Sequence, residues 1–230
     1  MNEAEFDCFA EEYAKLHAAN IKLSGEQPDF FAQYKVQDVS TRAEFLQIDA
    51  RNILDFGSGV GNSIPHFRRL FPRASLYCAD VSNKSLQIAE GRFPDAAQLR
   101  HITDASLSSI SERFDILFSA CVFHHIPHEE HLHWVSELRN VASPGAMLAL
   151  FEHNPLNPLT THAVNTCPFD ANAKLIFAHR LRAVARRAGW REVEVAYRIF
   201  FPHRFARFRQ LEARMTKVPL GAQYAVYGRA

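Results

Sequence analysis

The 230-residue sequence predicts an α/β protein, one domain built on a mostly parallel sheet with helices on both faces. Three observations carry this reading. Short apolar runs alternate along the chain with stretches of helical period, the pattern of successive βαβ units. Between Asn52 and Phe67 an apolar strand runs into a carboxylate, then into three glycines at alternate positions, then into a helix. Hydrophobic residues make up 47% of the chain, and no Gly/Ser-rich or Pro-rich linker, repeat or low-complexity run divides it, so a single large core is expected.

The elements follow in order. Phe6 to His17 reads as a helix with Phe6, Phe9, Ala10 and Tyr13 on one side. Ile53, Leu54 and Phe56 form a buried strand; Gly57, Gly59 and Gly61 make a tight turn, and Asn62 or Ser63 caps the next helix. Glycine there allows positive φ and lets a ligand lie close to the main chain, where a helix N-terminus offers free N–H groups. A second strand, 75–80, ends in Asp80 and precedes a helix from Ser82 to Arg92. An acid at that tip suits a ribose diol. Further strands are expected at 98–102, 114–120, 145–152, 191–199 and 223–228. In such a sheet the ligand site lies at the carboxyl ends of the strands.

A dinucleotide fold wants G-x-G-x-x-G, which would put glycine where Asn62 stands. That counts against a nicotinamide oxidoreductase. The pattern from Asp55 to Gly61 instead resembles motif I of the class I S-adenosylmethionine-dependent methyltransferases. Phe114 to Ile126, ending His124-His125-Ile126, resembles motif IV of that family, and Ser143 to Leu150 resembles the turn and strand after it. The likeness covers residues 50–152. It implies a Rossmann-like seven-stranded sheet of order 3-2-1-4-5-7-6 with the last strand antiparallel, S-adenosyl-L-methionine as cofactor and S-adenosyl-L-homocysteine as product.

The resemblance also implies site residues. Asp55 would hold the cofactor's amino group, Gly57, Ser58, Gly59 and Gly61 its cradle, and Asp80 the ribose. Val81 would lie against the adenine, Thr103, Asp104 and Ala105 near its amino group, and Ser119 and Cys121 along the motif IV side. Lys35 would pair with the cofactor carboxylate, the alternative being a solvated lysine. The N-terminal helix would close over the cofactor, with Tyr13 bordering the methyl group or packed in the core. The whole chain, 1–230, then divides into a helical lid at 1–45, a cofactor-binding core at 50–152, a substrate loop at 152–173 and C-terminal helices and strands at 174–230.

Five histidines crowd between 124 and 133. Helical pairs among them have metal-ligand spacing, but Pro127 starts the helix and leaves His124 and His125 on the loop before it. His131 shares a face with Val135, Leu138 and Ala142 and points at the sheet, His133 points to water, and Glu129 and Glu130 suit the helix dipole. No metal is expected on that basis. His124 follows the fourth strand and is the candidate catalytic residue, a general base with a pKa near 6.5; otherwise it caps the loop or bonds the cofactor. The long stretch from Glu152 to Asp170 leaves the fifth strand at the same end and should shape the substrate pocket, with His125, His153, Asn154 and Asn157 facing the acceptor.

The acceptor is expected to be a small or lipid-like molecule methylated on O, N or C. Nineteen phenylalanines offer rings for cation–π contact with a sulfonium. Motif IV lacks the Asn/Asp-Pro-Pro-Tyr type of sequence used on nucleic acid bases and protein glutamine. Net charge is +1, yet thirteen Lys and Arg stand against three Glu from Lys174 onward, leaving that end at +10 and residues 1–173 at −9. This Arg-rich end supports the alternative, a methyltransferase or binding module acting on nucleic acid, although no aromatic stacking motif accompanies it. Residues 204–217 read as a basic amphipathic helix, either resting on an anionic membrane or packing its apolar side on the domain. Four scattered cysteines without C-x-x-C spacing, no basic-then-apolar N-terminus and no apolar run of bilayer length lead to an expected cytoplasmic location; oligomeric state is not encoded legibly.

Overall fold

The structure, a computed structural model, describes residues 25–102, 107 and 110–230. The expected helix at 6–17 with Tyr13, and the trio Thr103, Asp104 and Ala105, lie outside the described residues.

Seven strands form one sheet: β1 (Asn52–Phe56), β2 (Ser75–Asp80), β3 (Gln98–His101), β4 (Phe114–Ala120), β5 (Ala142–His153), β6 (Arg191–Arg198) and β7 (Gln223–Arg229). Their order is β3-β2-β1-β4-β5-β7-β6. β1 to β5 pair in parallel, and β7 runs antiparallel to both β5 and β6. The expected order and the antiparallel last strand are both present.

Burial on two faces explains why these strands read as continuous apolar runs rather than alternating ones. Within β1, Leu54 and Phe56 join one core and Ile53 the other. The first core packs the sheet against α4 (His131–Asn140) and α6 (Ala178–Arg187) through Trp134, Val135, Leu138, Leu181 and Ala185. The second packs it against α1 (Pro28–Phe45), α2 (Ile64–Leu70) and α3 (Asn83–Arg92) through Val36, Val39, Ala43, Ile64, Phe67 and Ala89. Helix α1, expected as part of a lid, thus buries one side in the core while carrying Tyr34 and Lys35 to the carboxyl edge of the sheet.

Three local expectations change. Ser63 occupies the N-cap position of α2 but makes no side-chain cap; its hydroxyl turns to Asp55 instead. The stretch after β5 is not a bare loop, because Asn157 accepts the Thr160 N–H at 3.1 Å and caps α5 (Pro158–Thr166), with Pro158 at its first turn. The Asn157-Pro158 step is thus a helix start. Residues 203–211 form a 3-10 helix kinked at Phe205, followed by the four-residue α7 (Glu212–Met215), in place of one amphipathic α-helix. The Glu212 carboxylate accepts from Phe200 and Phe201 N–H, and Arg209 bonds the Phe201 carbonyl, so this segment is tied back into a compact turn.

Candidate functional site

The glycine loop follows β1 with φ of +74°, +52° and +76° at Gly57, Gly59 and Gly61. The three glycines serve different ends. A Cβ on Gly57 would stand 2.3 Å from Val122 Cγ2, and one on Gly61 would stand 2.7 Å from Ile64 Cδ1, so both are required by neighbouring side chains. A Cβ on Gly59 would meet nothing within 4 Å, which makes it the glycine that faces open space. The loop is anchored by Asp80 at the tip of β2, whose Oδ2 accepts the Gly59 N–H at 2.8 Å while Oδ1 accepts the Ser82 N–H at 2.8 Å. Burial raises the Asp80 pKa, and these backbone donors oppose the rise. Asp80 therefore shapes the cradle as well as offering its remaining lone pairs to a diol. Val81, half-buried, receives His101 Nε2 on its carbonyl at 2.8 Å.

Asp55 lies one register step inside the sheet edge and accepts a short hydrogen bond from Ser63. Burial pushes its carboxyl up to about 7, with Ser63 and Lys35 opposing the rise. Lys35 is not a solvated lysine. Its side chain comes up from α1 into the core edge, is only 6% exposed, and brings its ammonium 3.6 Å from the Cys121 sulfur. A thiol is a weak acceptor, so a buried ammonium held there is poised for a better one. Cys121 itself, at φ +59°, turns the chain sharply as it leaves β4. Ser119 is buried two residues earlier, and its hydroxyl has no hydrogen-bond partner among the described residues. Ser58 takes its place in the loop, its N–H bonded to the Ala79 carbonyl at 3.3 Å.

Beyond Cys121 lies a hub formed around Glu152 near the end of β5. Its Oε1 accepts the Val122 and Phe123 N–H groups at 3.0 and 2.7 Å, and its Oε2 receives His124 Nδ1 at 2.7 Å. The other ring nitrogen of His124 lies 3.5 Å from Asp170 Oδ1, and His125 Nε2 lies 3.4 Å from the same oxygen. Burial alone would lower the His124 pKa, but the Glu152 charge and the hydrogen bonds to both acids raise it to about 10. The expectation of a free imidazole with an ordinary pKa is thereby corrected: two carboxylates clamp this ring. Asp170 is held below the usual carboxylate range, its burial outweighed by the two histidines. The His153 ring packs 5.2 Å from that of His124, and burial together with that cation pushes His153 down to about 4.

Asn154 and Asn157 do not face an acceptor. The Asn154 amide is 1% exposed and donates to the Pro219 and Gly221 carbonyls at 3.1 and 2.7 Å, while its oxygen accepts the Leu156 N–H. Asn157 caps α5 and donates to the Leu220 carbonyl. Both amides are spent on pinning the post-β5 segment to the turn before β7. Sequence reasoning does not single out Glu152 and Asp170, the two carboxylates that the structure sets against His124. A charged residue closing an apolar strand was the legible signal for Glu152; Asp170 had none in local spacing. His131 bonds the Phe123 and Ile126 carbonyls from within the core, and His133 is exposed, both as expected.

Four arginines of the Arg-rich end are occupied by structure. Arg198 forms a two-pronged pair with Asp38 at 2.8 and 2.9 Å, Arg182 and Arg191 cap the Val193 and Ala230 carbonyls, and Arg209 pairs with Glu26. Phe205, Phe208 and Leu211 are only partly covered, staying 45%, 37% and 49% exposed, with the Phe208 ring 5.7 Å from that of Phe201. In a 3-10 helix residues three apart eclipse one another, which stacks Phe208 over Leu211, whereas Phe205 stands at the kink.

A sequence profile described as "Methyltransferase domain" matches residues 54–148. The chain is 31% identical over 126 residues to trans-aconitate 2-methyltransferase of Afipia carboxidovorans, a match covering 50% of this chain and 46% of that protein. The chain thus spans about half the length of the curated relative it matches. Among solved structures it is similar to an S-adenosylmethionine-dependent methyltransferase from Thermotoga maritima described as a possible histamine N-methyltransferase, with TM-score 0.66, 17% identity and coverage of 99% and 98% of the two chains. It is also similar to the plantazolicin methyltransferase BamL in complex with a desmethylplantazolicin analogue and S-adenosylhomocysteine, with TM-score 0.66, 14% identity and coverage of 99% and 96%. The matched domain, the sheet order and the glycine loop at the carboxyl end of β1 agree: residues 54–148 are a methyltransferase domain, and the chain has the fold of the class I S-adenosylmethionine-dependent methyltransferases.

Proposed function

We propose that the protein transfers the methyl group of S-adenosylmethionine to an oxygen, nitrogen or carbon nucleophile of a small-molecule acceptor. The observation that carries this reading is Lys35, a buried ammonium 3.6 Å from the Cys121 sulfur and 5.8 Å from the Tyr34 ring centre, near the buried carboxyl of Asp55 and the glycine loop. A zwitterionic amino-acid tail matches that pair of charges. Lys35 would hold its carboxylate, Asp55 its ammonium, Gly59 the open cradle, and Asp80 the ribose diol; Ser119 brings an unsatisfied hydroxyl to the same edge. Bound there, the cofactor supplies an electrophilic methyl on sulfur. The chain's own residues then bind, align and exclude water.

The acceptor belongs beyond motif IV, where His125 and His153 are half-buried and His124 stands behind them. Burial of the polar hub suits a small polar molecule. The partly exposed Phe205, Phe208 and Leu211 favour a second reading, a lipid-like acceptor met at an anionic surface. No observation favours nucleic acid. No disulfide joins the described cysteines Cys78, Cys121 and Cys167, in keeping with a cytoplasmic setting, and no helix among the described residues is long and apolar enough to cross a membrane. Calorimetric titration with S-adenosylhomocysteine and NAD side by side tests the cofactor reading: the first should bind, the second should not, and Lys35→Met should weaken the first at least tenfold. Preference for NAD would end the proposal.

A further inference from the structure

The hub at the end of β4 has the form of a metal site. His124, His125 and Asp170 each present one ligand atom, and the three atoms lie within 4.8 Å of one another. Asp170 Oδ1 is 3.5 Å from His124 Nε2 and 3.4 Å from His125 Nε2. Ligands about 2.0–2.1 Å from a tetrahedral ion are themselves separated by about 3.4 Å, so these edges already have the right length. His124 and Asp170 are 2% and 6% exposed, and His125 is half-buried beside them.

Glu152 supplies what a ligand histidine ordinarily has behind it. A metal-bound imidazole usually donates its other N–H to a carboxylate, which fixes both tautomer and ring orientation. Here His124 Nδ1 donates to Glu152 Oε2 at 2.7 Å, which directs Nε2 toward Asp170. Glu152 is in turn locked by the Val122 and Phe123 N–H groups. The backbone holds the third ligand in place as well: Asp170 N–H donates to the Cys167 carbonyl, Ala173 N–H to the Asp170 carbonyl, and Lys174 N–H to the His124 carbonyl at 2.8 Å. Unlike the helical histidine pairs after Pro127, this set takes its carboxylate from beyond α5.

We propose that His124, His125 and Asp170 bind one divalent transition-metal ion of the zinc class, with Glu152 as the carboxylate that orients His124. Two imidazoles and one carboxylate suit zinc, cobalt, nickel or iron, whereas magnesium and calcium prefer all-oxygen sets. Three protein ligands leave a coordination position open, the arrangement of catalytic rather than structural zinc. Resting on the methyltransferase reading above, the ion would face the acceptor and lower the pKa of its hydroxyl or other heteroatom.

The test uses the full chain, stripped with EDTA and titrated with zinc by calorimetry and with cobalt by visible d–d absorption. One equivalent per chain should bind. His125→Gln and Asp170→Asn should each weaken binding at least about 100-fold, and Glu152→Gln about 10–100-fold, with folding checked by circular dichroism. Absence of stoichiometric zinc and cobalt binding by the wild-type chain overturns the site outright, whatever the variants do. Binding kept within a few-fold in folded His125→Gln and Asp170→Asn also overturns it, because the ion must then sit elsewhere. S-adenosylhomocysteine titrated into the same stripped protein separates the two proposals: cofactor binding without metal binding leaves the methyltransferase reading standing and removes only the metal.

Discussion

Cofactor affinity should rise with pH between 5.5 and 7.5, because Asp55 must be ionised to hold an ammonium group. Its carboxyl is 2% exposed, and burial has moved it from 3.8 to about 7 despite help from Ser63 and Lys35. At pH 5.5 a group with a pKa of 7 is ionised in about one molecule in thirty, so affinity should be about 30-fold weaker than the plateau, or about 2 kcal/mol. Above about pH 8 the cofactor's own α-amino group loses its proton and affinity should fall again. Calorimetric titration with S-adenosylhomocysteine from pH 5.5 to 9 reads this curve directly, and in Asp55→Asn the rising limb should vanish. The same group predicts a stability effect of opposite sense. A carboxyl raised in the folded state contributes stability that is full below pH 4 and lost as pH climbs through 7. The move from 3.8 to about 7 is worth on the order of 4 kcal/mol at most. Cofactor-free Asp55→Asn should therefore melt above the wild type at pH 8 while binding cofactor worse. An affinity flat from pH 5.5 to 7.5, or an Asp55→Asn protein no more stable at pH 8, refutes the reasoning.

Four further outcomes are expected. Asp80→Ala removes a charged acceptor from the ribose site and the anchor of Gly59, and should cost about 1.5–3 kcal/mol in S-adenosylhomocysteine affinity; an unchanged dissociation constant counts against the cradle. Gly57→Ala drives a Cβ to 2.3 Å from Val122 and should lower the melting temperature, whereas Gly59→Ala should keep the fold at a cost of about 1–2 kcal/mol for its φ of +52° while losing cofactor; the reverse ranking in paired melting and binding assays would show the wrong glycine faces the ligand. Asn154→Leu strands the Pro219 and Gly221 carbonyls and should destabilise the protein by about 1–3 kcal/mol in urea titration, and an unshifted midpoint would deny it a structural role. In vesicle sedimentation the lipid-like reading requires binding to anionic but not neutral liposomes through the partly exposed Phe205, Phe208 and Leu211, weakened by salt and by Arg207→Glu with Arg214→Glu; failure to bind either liposome leaves a soluble acceptor.

What was legible in the chain and what was not follows from the range over which each signal acts. Strands buried on both faces must be apolar throughout, so β1, β2 and β4 stand where their apolar runs stand. A glycine loop is equally local, because positive φ and close packing are properties of three or four neighbouring residues. Even so, the sequence could not separate Gly59, which faces space, from Gly57 and Gly61, which face Val122 and Ala89 across the fold. Lys35 shows the same limit: its burial depends on α1 lying beneath the sheet and reaching Cys121, 86 residues away. The histidine hub is the clearest instance. Spacing along a helix compared His124 and His125 with His128, His131 and His133, which are near in sequence and turned elsewhere by the two 3-10 turns at 123–125 and 128–130. The groups that meet those rings come from Glu152, 28 residues on, and from Asp170, beyond a helix that was itself read as loop. Polar partners in a buried site are chosen by sheet order and connection length rather than by periodicity. A carboxylate at the end of β5 becomes the neighbour of a histidine after β4 because parallel pairing sets Ala120 beside Phe151. Once strand order is known, the residues just past the ends of adjacent parallel strands are therefore the ones to compare for shared chemistry, and local motif spacing is the weaker guide.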